Sequence, residues 1–138
     1  MTDEPTRTTF FDVAELPGHT LAELFGDSPD ADALYDVFGR DLLTKTILSS
    51  PSLSVFHETA DPGERVKPHR HGTLQIDFVL SGELIFGSRR LGPGMGCVIP
   101  DTLYSWRAGD DGAEWIEIHA GEPAIFTDRP QPEAPAAP

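Results

Sequence analysis

Cysteine is almost absent from this 138-residue chain, because Cys97 is its only example. One thiol cannot close an intrachain disulfide or build a cysteine-rich zinc site, so both kinds of scaffold are excluded. Any metal site must therefore use histidine, carboxylate, amide or phenol ligands. The apolar run around Cys97, with no base close by in sequence, predicts a small buried side chain and not a nucleophile.

Basic residues are also scarce, with ten Lys and Arg against 23 Asp and Glu and a formal net charge of -13. A strongly acidic chain has no general attraction for phosphate backbones or anionic lipid surfaces, so we expect neither nucleic acid nor a membrane as a partner. No apolar run approaches the roughly 20 residues of a membrane span, and the N-terminus has no secretion-signal pattern. We therefore expect a cytoplasmic protein.

Glycine and proline, in contrast, number 13 each. This share is more than long helices tolerate and is typical of a β protein with many turns. From residue 42 onward, short β-rich runs alternate with turn signals, which predicts an all-β sandwich or barrel. The runs are 42–48, 53–59, 73–80, 83–86, 96–99, 103–107 and 114–119, and the turns include 61–63, 81–82, 91–94 and 109–112.

The first 41 residues have a different composition, with ten acidic side chains and only two basic ones. Leu21, Leu24 and Phe25 recur at helical spacing, and Ser28-Pro29 has the pattern of a helix N-cap followed by proline. We therefore expect one or two short helices in this segment.

These changes in composition divide the chain into three parts. We predict that residues 1–41 form an acidic, partly helical extension that packs on the barrel and covers a sheet edge, although an acidic docking surface is an alternative role. Residues 42–127 are predicted to form the barrel. Residues 128–138, rich in proline and alanine, are predicted to be disordered.

The most informative stretch, GERVKPHRHGTLQIDFVLSG, contains His69 and His71 separated by one residue. On an extended strand, side chains two residues apart point to the same face about 7 Å apart, so both imidazoles can bind one cation. Gln75 and Asp77 have the same parity. An amide oxygen and a carboxylate can thus face the same point.

This stretch resembles the first motif of the cupin superfamily, which is a glycine, five residues, His-x-His, three or four residues, a glutamate, six residues and a glycine. Gly63, His69, His71, Gln75 and Gly82 fit that spacing, with glutamine in the place of glutamate.

The second cupin motif begins with a glycine, five residues and a proline, and Gly94 and Pro100 match it. Cupins then supply a further histidine, but this chain has Tyr104 or Ser105 at that place, and we favour Tyr104. His57 and His119 lie on flanking strands and are alternatives. The sequence leaves open whether either of them points inward.

The resemblance spans roughly residues 53–119 and implies a cupin jelly-roll barrel, or double-stranded β-helix, with a divalent metal at its open end. It implies His69, His71 and Gln75 as the metal ligands and Fe, Mn, Zn or Ni as the ion. An amide in place of a carboxylate leaves the centre one unit more positive, which strengthens its Lewis acidity. Small cupins are commonly homodimers, and the same is expected here.

Asp77 and Tyr104 are the candidate catalytic residues. Tyr104 can serve as a phenolate ligand or as an acid or base, and Asp77 can abstract a proton if desolvation raises its pKa. A buried ion pair between Asp77 and an arginine such as Arg107 is the simpler alternative. We expect the pocket to be lined by Tyr104, Trp106 and His57. Ordinary packing of aromatic side chains is an alternative explanation for Tyr104 and Trp106.

Together these features predict a metal-dependent small cupin enzyme that acts on a small oxygen-containing organic substrate. We expect Lewis-acid catalysis with proton transfer, as in isomerases, lyases and cyclases. Dioxygenation with Fe(II) is the other expected reaction type. The alternative is a non-catalytic cupin that binds a small molecule or a metal.

Overall fold

A computed structural model of the chain describes residues 3–25, 29–39 and 42–130. The predicted N-cap at Ser28 and most of the predicted tail, from residue 131, lie outside the described residues. No helix in the described part has the length and apolar character needed to cross a membrane.

Strands dominate the described residues, and every strand pairing is antiparallel. The prediction of an all-β chain with one or two short N-terminal helices is therefore confirmed, and the described residues contain two α-helices there. The elements in chain order are a 3-10 helix (Val13–Glu15), β1 (His19–Thr20), α1 (Leu21–Phe25), α2 (Pro29–Phe38), β2 (Leu43–Ser49), β3 (Ser54–Ala60), β4 (Arg65–His69), β5 (Gln75–Phe86), β6 (Arg89–Leu91), β7 (Gly96–Ile99) and β8 (Tyr104–His119).

The sheet follows the order β1-β2-β3-β8-β5-β6, with β4 added to β8 and β7 added to β5. The two longest strands, β5 and β8, pair from Gln75 opposite His119 to Ile85 opposite Arg107. Each therefore merges two of the predicted runs. Strands β4 and β6 were not among those runs, because both are short and charged and lack the apolar pattern on which the prediction depends.

The turn predicted at 109–112 is a bulge inside β8 and does not reverse the chain. Gly82 pairs with Ala113 and Leu84 pairs with Ala108, so four residues of β8 lie opposite a single residue of β5. Gly82 has a φ of 68°, and a Cβ at this position would overlap the carbonyl oxygen of Gly112. The crossing of the two strands thus requires glycine at this place in the first motif.

Alternation along β5 and β8 decides which side chains face the interior. Gln75 and Asp77 of β5 and Trp115 and His119 of β8 are at most 1% exposed. Glu117, which pairs with Asp77, has the same inward parity. The interior of this sheet is consequently polar where β5 begins and β8 ends.

Helix α2 packs against β4 and covers one end of this interior. The ring of Phe38 meets the ring of His69 edge to face, with 4.6 Å between the centroids. On the outside, Lys67 donates to Asp36 across 2.8 Å. The contact with Phe38 excludes water from one side of the His69 imidazole.

Cys97 lies on β7 opposite Asp77 and packs against the core, but its side chain is half-buried and not fully buried as predicted. Burial, together with the charge of Asp77, raises the pKa of the Cys97 thiol to about 12. At pH 8 only about one such thiol in ten thousand is ionised. We expect iodoacetamide to alkylate the native protein at least about 100-fold more slowly than the urea-unfolded chain, measured by mass spectrometry. Equal rates in the two states would contradict this placement.

Candidate functional site

The strands enclose a cavity of about 190 Å³. Much of its wall is large and apolar, including Phe56, Trp106, Trp115 and Ile125, and none of the lining residues in the described part of the chain is Lys or Arg. The polar lining residues are Thr44, Glu58, His69, His71, Tyr104 and Glu117. A mostly apolar wall with one cluster of imidazoles and carboxyl groups is typical of a pocket that binds a small organic ligand.

His69 and His71 converge, as their spacing predicts, with 4.9 Å between the ring centroids. The Nδ1 atoms of His69 and His71 lie 2.8 Å from the carbonyl oxygens of Lys67 and Ala124 respectively. Because a carbonyl oxygen only accepts, each Nδ1 is the donor, and in the neutral ring Nε2 keeps its lone pair. Burial lowers the pKa of both imidazoles, that of His69 to about 4. Both rings are therefore in the neutral form that binds metals.

Strand β8 brings two more ligand-type side chains to His71. The ligand atoms of His71, Glu117 and His119 all lie within 4.8 Å of one another. His119 Nε2 lies 2.9 Å from a carboxylate oxygen of Glu117. Burial acts to raise the pKa of Glu117, but the hydrogen bond from His119 and the neighbouring imidazoles outweigh it, so this pKa is lowered. The group therefore combines an anionic carboxylate with imidazoles, which is a donor set suited to a divalent cation.

A hydrogen-bonded chain connects Asp77, Gln75 and Tyr104 to this group. The Gln75 amide donates to Asp77 Oδ1 across 2.8 Å and accepts from the Tyr104 hydroxyl across 3.1 Å. The same hydroxyl lies 3.0 Å from His71 Nε2. A hydroxyl has one proton for these two acceptors, so His71 keeps a free lone pair whenever Tyr104 donates to Gln75.

The two histidines whose direction the sequence left open point to opposite sides. His119 points inward, and its ring centroid lies 4.9 Å from that of His71. His57 was expected in the pocket, but it does not line the cavity. It lies on the opposite face of β3 from the lining residue Glu58, and its Nε2 is 3.2 Å from Glu114. The alternation of β3 explains this placement, because neighbouring residues of a strand face opposite sides.

The other expected site residues fall into two groups. Tyr104 and Trp106 line the cavity. Gln75 and Asp77 are buried on β5 behind Tyr104 and bond to each other. Within the described residues, Asp77 forms no ion pair with Arg107, and its Oδ2 atom has no hydrogen-bond partner. Burial and the charge of Glu117 raise the pKa of Asp77, which favours its neutral form.

Two carboxyl groups in the cavity wall were not identified from the sequence. Glu117 shares the parity of His119, so the alternation of Trp115, Glu117 and His119 would have identified it once His119 was known to face inward. Glu58 accepts a hydrogen bond of 2.7 Å from the Thr44 hydroxyl. Burial and the charge of Glu117 raise its pKa well above the usual value, which favours the protonated acid.

The segment that follows β8 lies alongside the two histidines. Arg70 and Phe126 exchange two backbone hydrogen bonds of 2.9 Å, and the Ala124 amide donates to the carbonyl oxygen of His71. Ile125 lines the cavity. The same segment therefore orients His71 and closes part of the pocket wall.

Arg70 holds this segment in place, although its side chain is only 11% exposed. Its guanidinium lies 4.4 Å from the centroid of the Phe126 ring and forms ion pairs with Asp101 at 3.2 Å and Asp128 at 3.3 Å. A planar fork that both stacks and pairs is a property of arginine that lysine does not share.

No protein-family model matches the chain, and no curated protein matches it. Solved structures do match. KdgF from a Halomonas species is 24% identical with a TM-score of 0.53, and the match covers 59% of this chain and 79% of that one. An RmlC-like cupin from Ralstonia eutropha is 15% identical with a TM-score of 0.65, and 88% of this chain and 74% of that one are covered. The polyketide cyclase RemF from Streptomyces resistomycificus is 11% identical with a TM-score of 0.65, covering 88% and 85% respectively. At identities below 25%, these likenesses bear on the fold alone.

Replacing Arg70 with Ala should loosen the segment beside His71. Loss of the ion pairs and of the stacking on Phe126 should speed amide exchange at Ala124 and Phe126 by about tenfold or more. Hydrogen exchange with mass spectrometry measures this directly. Arg70→Lys should give an intermediate effect, and the exposed Arg89→Ala on β6 should give none. Unchanged protection in Arg70→Ala would show that the backbone pairing alone holds the segment.

Proposed function

Because the chain has the cupin fold, we propose that it is a metal-dependent enzyme acting on a small, oxygen-containing organic molecule. The observation that carries this proposal is the group of His71, Glu117 and His119, whose ligand atoms lie within 4.8 Å of one another. His69 stands beside His71 and presents Nε2 in its neutral form. Imidazoles with one carboxylate suit Fe, Mn, Zn or Ni in the divalent state.

In this proposal Glu117 and His119 complete the ligand set that His69 and His71 begin. The first motif by itself predicts Gln75 as the third ligand, but Gln75 does not line the cavity, and its amide bonds to Asp77 and to Tyr104. We therefore assign Gln75 and Asp77 to positioning Tyr104. A carboxylate ligand from β8 would also restore the negative charge that the motif loses with its glutamate.

The bound cation would act as a Lewis acid toward a carbonyl or hydroxyl oxygen of the substrate. Burial raises the pKa of Tyr104, so its hydroxyl keeps its proton and can donate a hydrogen bond to that oxygen. Glu58 is a second proton-bearing group in the wall. Proton transfer at the substrate is thus assigned to Glu58, and a hydrogen bond to the substrate oxygen is assigned to Tyr104. Both residues face the cavity, whereas Asp77 acts through Gln75.

The cavity wall supports a substrate that is neutral and largely apolar. No lysine or arginine lines it within the described residues, and Phe56, Trp106 and Trp115 offer flat surfaces for a ring. One of the similar structures is a polyketide cyclase, which supports isomerase, lyase or cyclase chemistry on a carbonyl-bearing molecule. The same ligands would also support dioxygen chemistry if the bound metal were iron(II).

The second candidate is a cupin that binds a metal or small molecule without transforming it. Tyr104 favours this alternative, because it stands where the second motif would supply a histidine. Turnover of a carbonyl-bearing substrate by the metal-loaded protein would exclude it, and binding without turnover would support it.

Protein purified without nickel resin should contain about one equivalent of divalent metal, measured by elemental mass spectrometry. If it is purified without metal, it should bind about one equivalent of Zn²⁺ or Mn²⁺ in a calorimetric titration. His71→Ala should abolish this binding, because His71 lies next to His69 on one side and to Glu117 and His119 on the other. The control is His57→Ala, which removes an imidazole of similar burial that points away from the cavity. Metal bound equally by His71→Ala and the unmodified protein would overturn the proposal, as would no uptake by either.

Two further variants test whether the third ligand is Glu117, as proposed, or Gln75, as the first motif predicts. Glu117→Gln keeps the shape of the side chain but removes the charge of a direct ligand, and it should therefore weaken metal binding by more than the roughly 100-fold that loss of an orienting residue can cause. Gln75→Ala should weaken it by only about 10- to 100-fold, as expected of a residue that orients a neighbour. Circular dichroism verifies that both variants fold. The reverse order of affinities would restore Gln75 as the ligand.

A further inference from the structure

Two arginines face each other on the outside of the barrel, where Arg65 of β4 pairs directly with Arg107 of β8. Side chains that are directly opposite on antiparallel strands share one face, with their Cβ atoms about 5 Å apart. Both arginines point outward, because the neighbouring Val66 and Trp106 are buried and Trp106 lines the cavity. Like charges in this arrangement destabilise a sheet unless an anion lies between them.

Within the described residues, these two arginines have no acidic partner. None of the ion pairs there includes Arg65 or Arg107. Arg90 of β6 belongs to the same row, because it pairs with Ile85 of β5 and Ile85 pairs with Arg107. Arg90 differs in having an ion pair with Glu83 at 2.7 Å. The facing pair of arginines therefore leaves two positive charges uncompensated.

The same two arginines line a concavity of about 190 Å³ on this outer surface. No carboxyl group lines it in the described part of the chain, where the other lining residues are Val66, Ile85, Gly87, Ser105 and Trp106. Ser105 precedes Arg107 by two residues on β8, so its hydroxyl lies on the same face and can donate a hydrogen bond. Pockets for drug-sized ligands begin at about 300 Å³, so this smaller concavity suits a compact anion.

We propose that this concavity binds a phosphate dianion, either as free phosphate or as the phosphate group of a small ester. The planar fork of arginine bonds phosphate oxygens through two parallel hydrogen bonds. Two such forks supply the two positive charges that balance the dianion, whereas a single carboxylate would leave one of them unpaired. The concavity lies on the opposite face of β8 from the cavity, so the proposal is independent of the metal and the reaction.

The net charge of the chain separates this site from general attraction between a protein and an anion. With 23 acidic and ten basic residues and a net charge of -13, the chain as a whole repels phosphate. Saturable binding must therefore come from a local arrangement of cations. Because salt screens that local attraction, the affinity for phosphate should fall as the salt concentration rises.

Titration of the ¹⁵N-labelled full chain with inorganic phosphate, followed by NMR, tests the proposal. We expect saturable shifts of the Gly87 and Ser105 amides, with a dissociation constant of about 1 mM or tighter. The affinity should fall about threefold or more between about 20 and 200 mM NaCl. Shifts confined to His71 and His119 would place phosphate at the proposed metal site instead and would overturn the proposal while leaving the proposed function untouched.

Two variants identify the arginines that carry the binding. Arg65→Gln and Arg107→Gln each keep a long polar side chain but remove the charge, and each should weaken phosphate binding by about tenfold or more. Because either change relieves the repulsion within the pair, thermal unfolding without phosphate should occur at the same temperature or a higher one. A purely structural pair would behave oppositely, with a lower unfolding temperature and unchanged phosphate affinity. The control is Arg89→Gln, which removes the same charge from β6 outside the concavity and should leave binding unchanged.

Phenyl phosphate distinguishes the two sources of the phosphate group. Binding tighter than that of inorganic phosphate would assign the site to an ester, and weaker binding would assign it to the free anion. Acetate that binds as tightly as phosphate would overturn the proposal, because the second charge would then contribute nothing. The absence of saturable shifts at Gly87 and Ser105 up to about 20 mM phosphate would overturn it as well.

Discussion

The pairing of β5 with β8 is the constraint on which the other features depend. Its register sets Gln75 against His119 and Asp77 against Glu117, so both strands present polar side chains inward at the same level. A slip of one residue would exchange the two faces and turn Ile76 and Ile118 into the cavity. The polar interior and the apolar exterior of this sheet are therefore two results of one register.

A polar interior is stable only when its groups have partners, and the network shows how this is achieved. Tyr104, Gln75 and Asp77 form one chain of hydrogen bonds, and Glu117 accepts from Trp115 and His119. Asp77 Oδ2 remains unpartnered. Buried groups that are only partly satisfied reduce stability, so this network lowers the free energy of unfolding at the level where the proposed ligands lie.

The sequence predicted the fold well because its signals are local. The His-x-His spacing, the motif glycines and the β-rich runs each depend on a few neighbouring residues, and the cupin jelly roll that they imply matches the solved structures. The bulge at 109–112 and the merging of runs depend on pairing between distant strands. Glu117, Glu58 and the outward direction of His57 were missed for the same reason, since strand parity follows from which face is covered by the rest of the fold.

The carbonyl of Ala124 holds the proton of His71 on Nδ1, although 53 positions of sequence separate the two residues. The electronic character of one imidazole is thus set by a peptide group downstream of the last strand. Without a carbonyl at this place, the proton of a neutral His71 could occupy either ring nitrogen. The residues of the His-x-His motif therefore do not by themselves determine the tautomer and basicity of the second histidine.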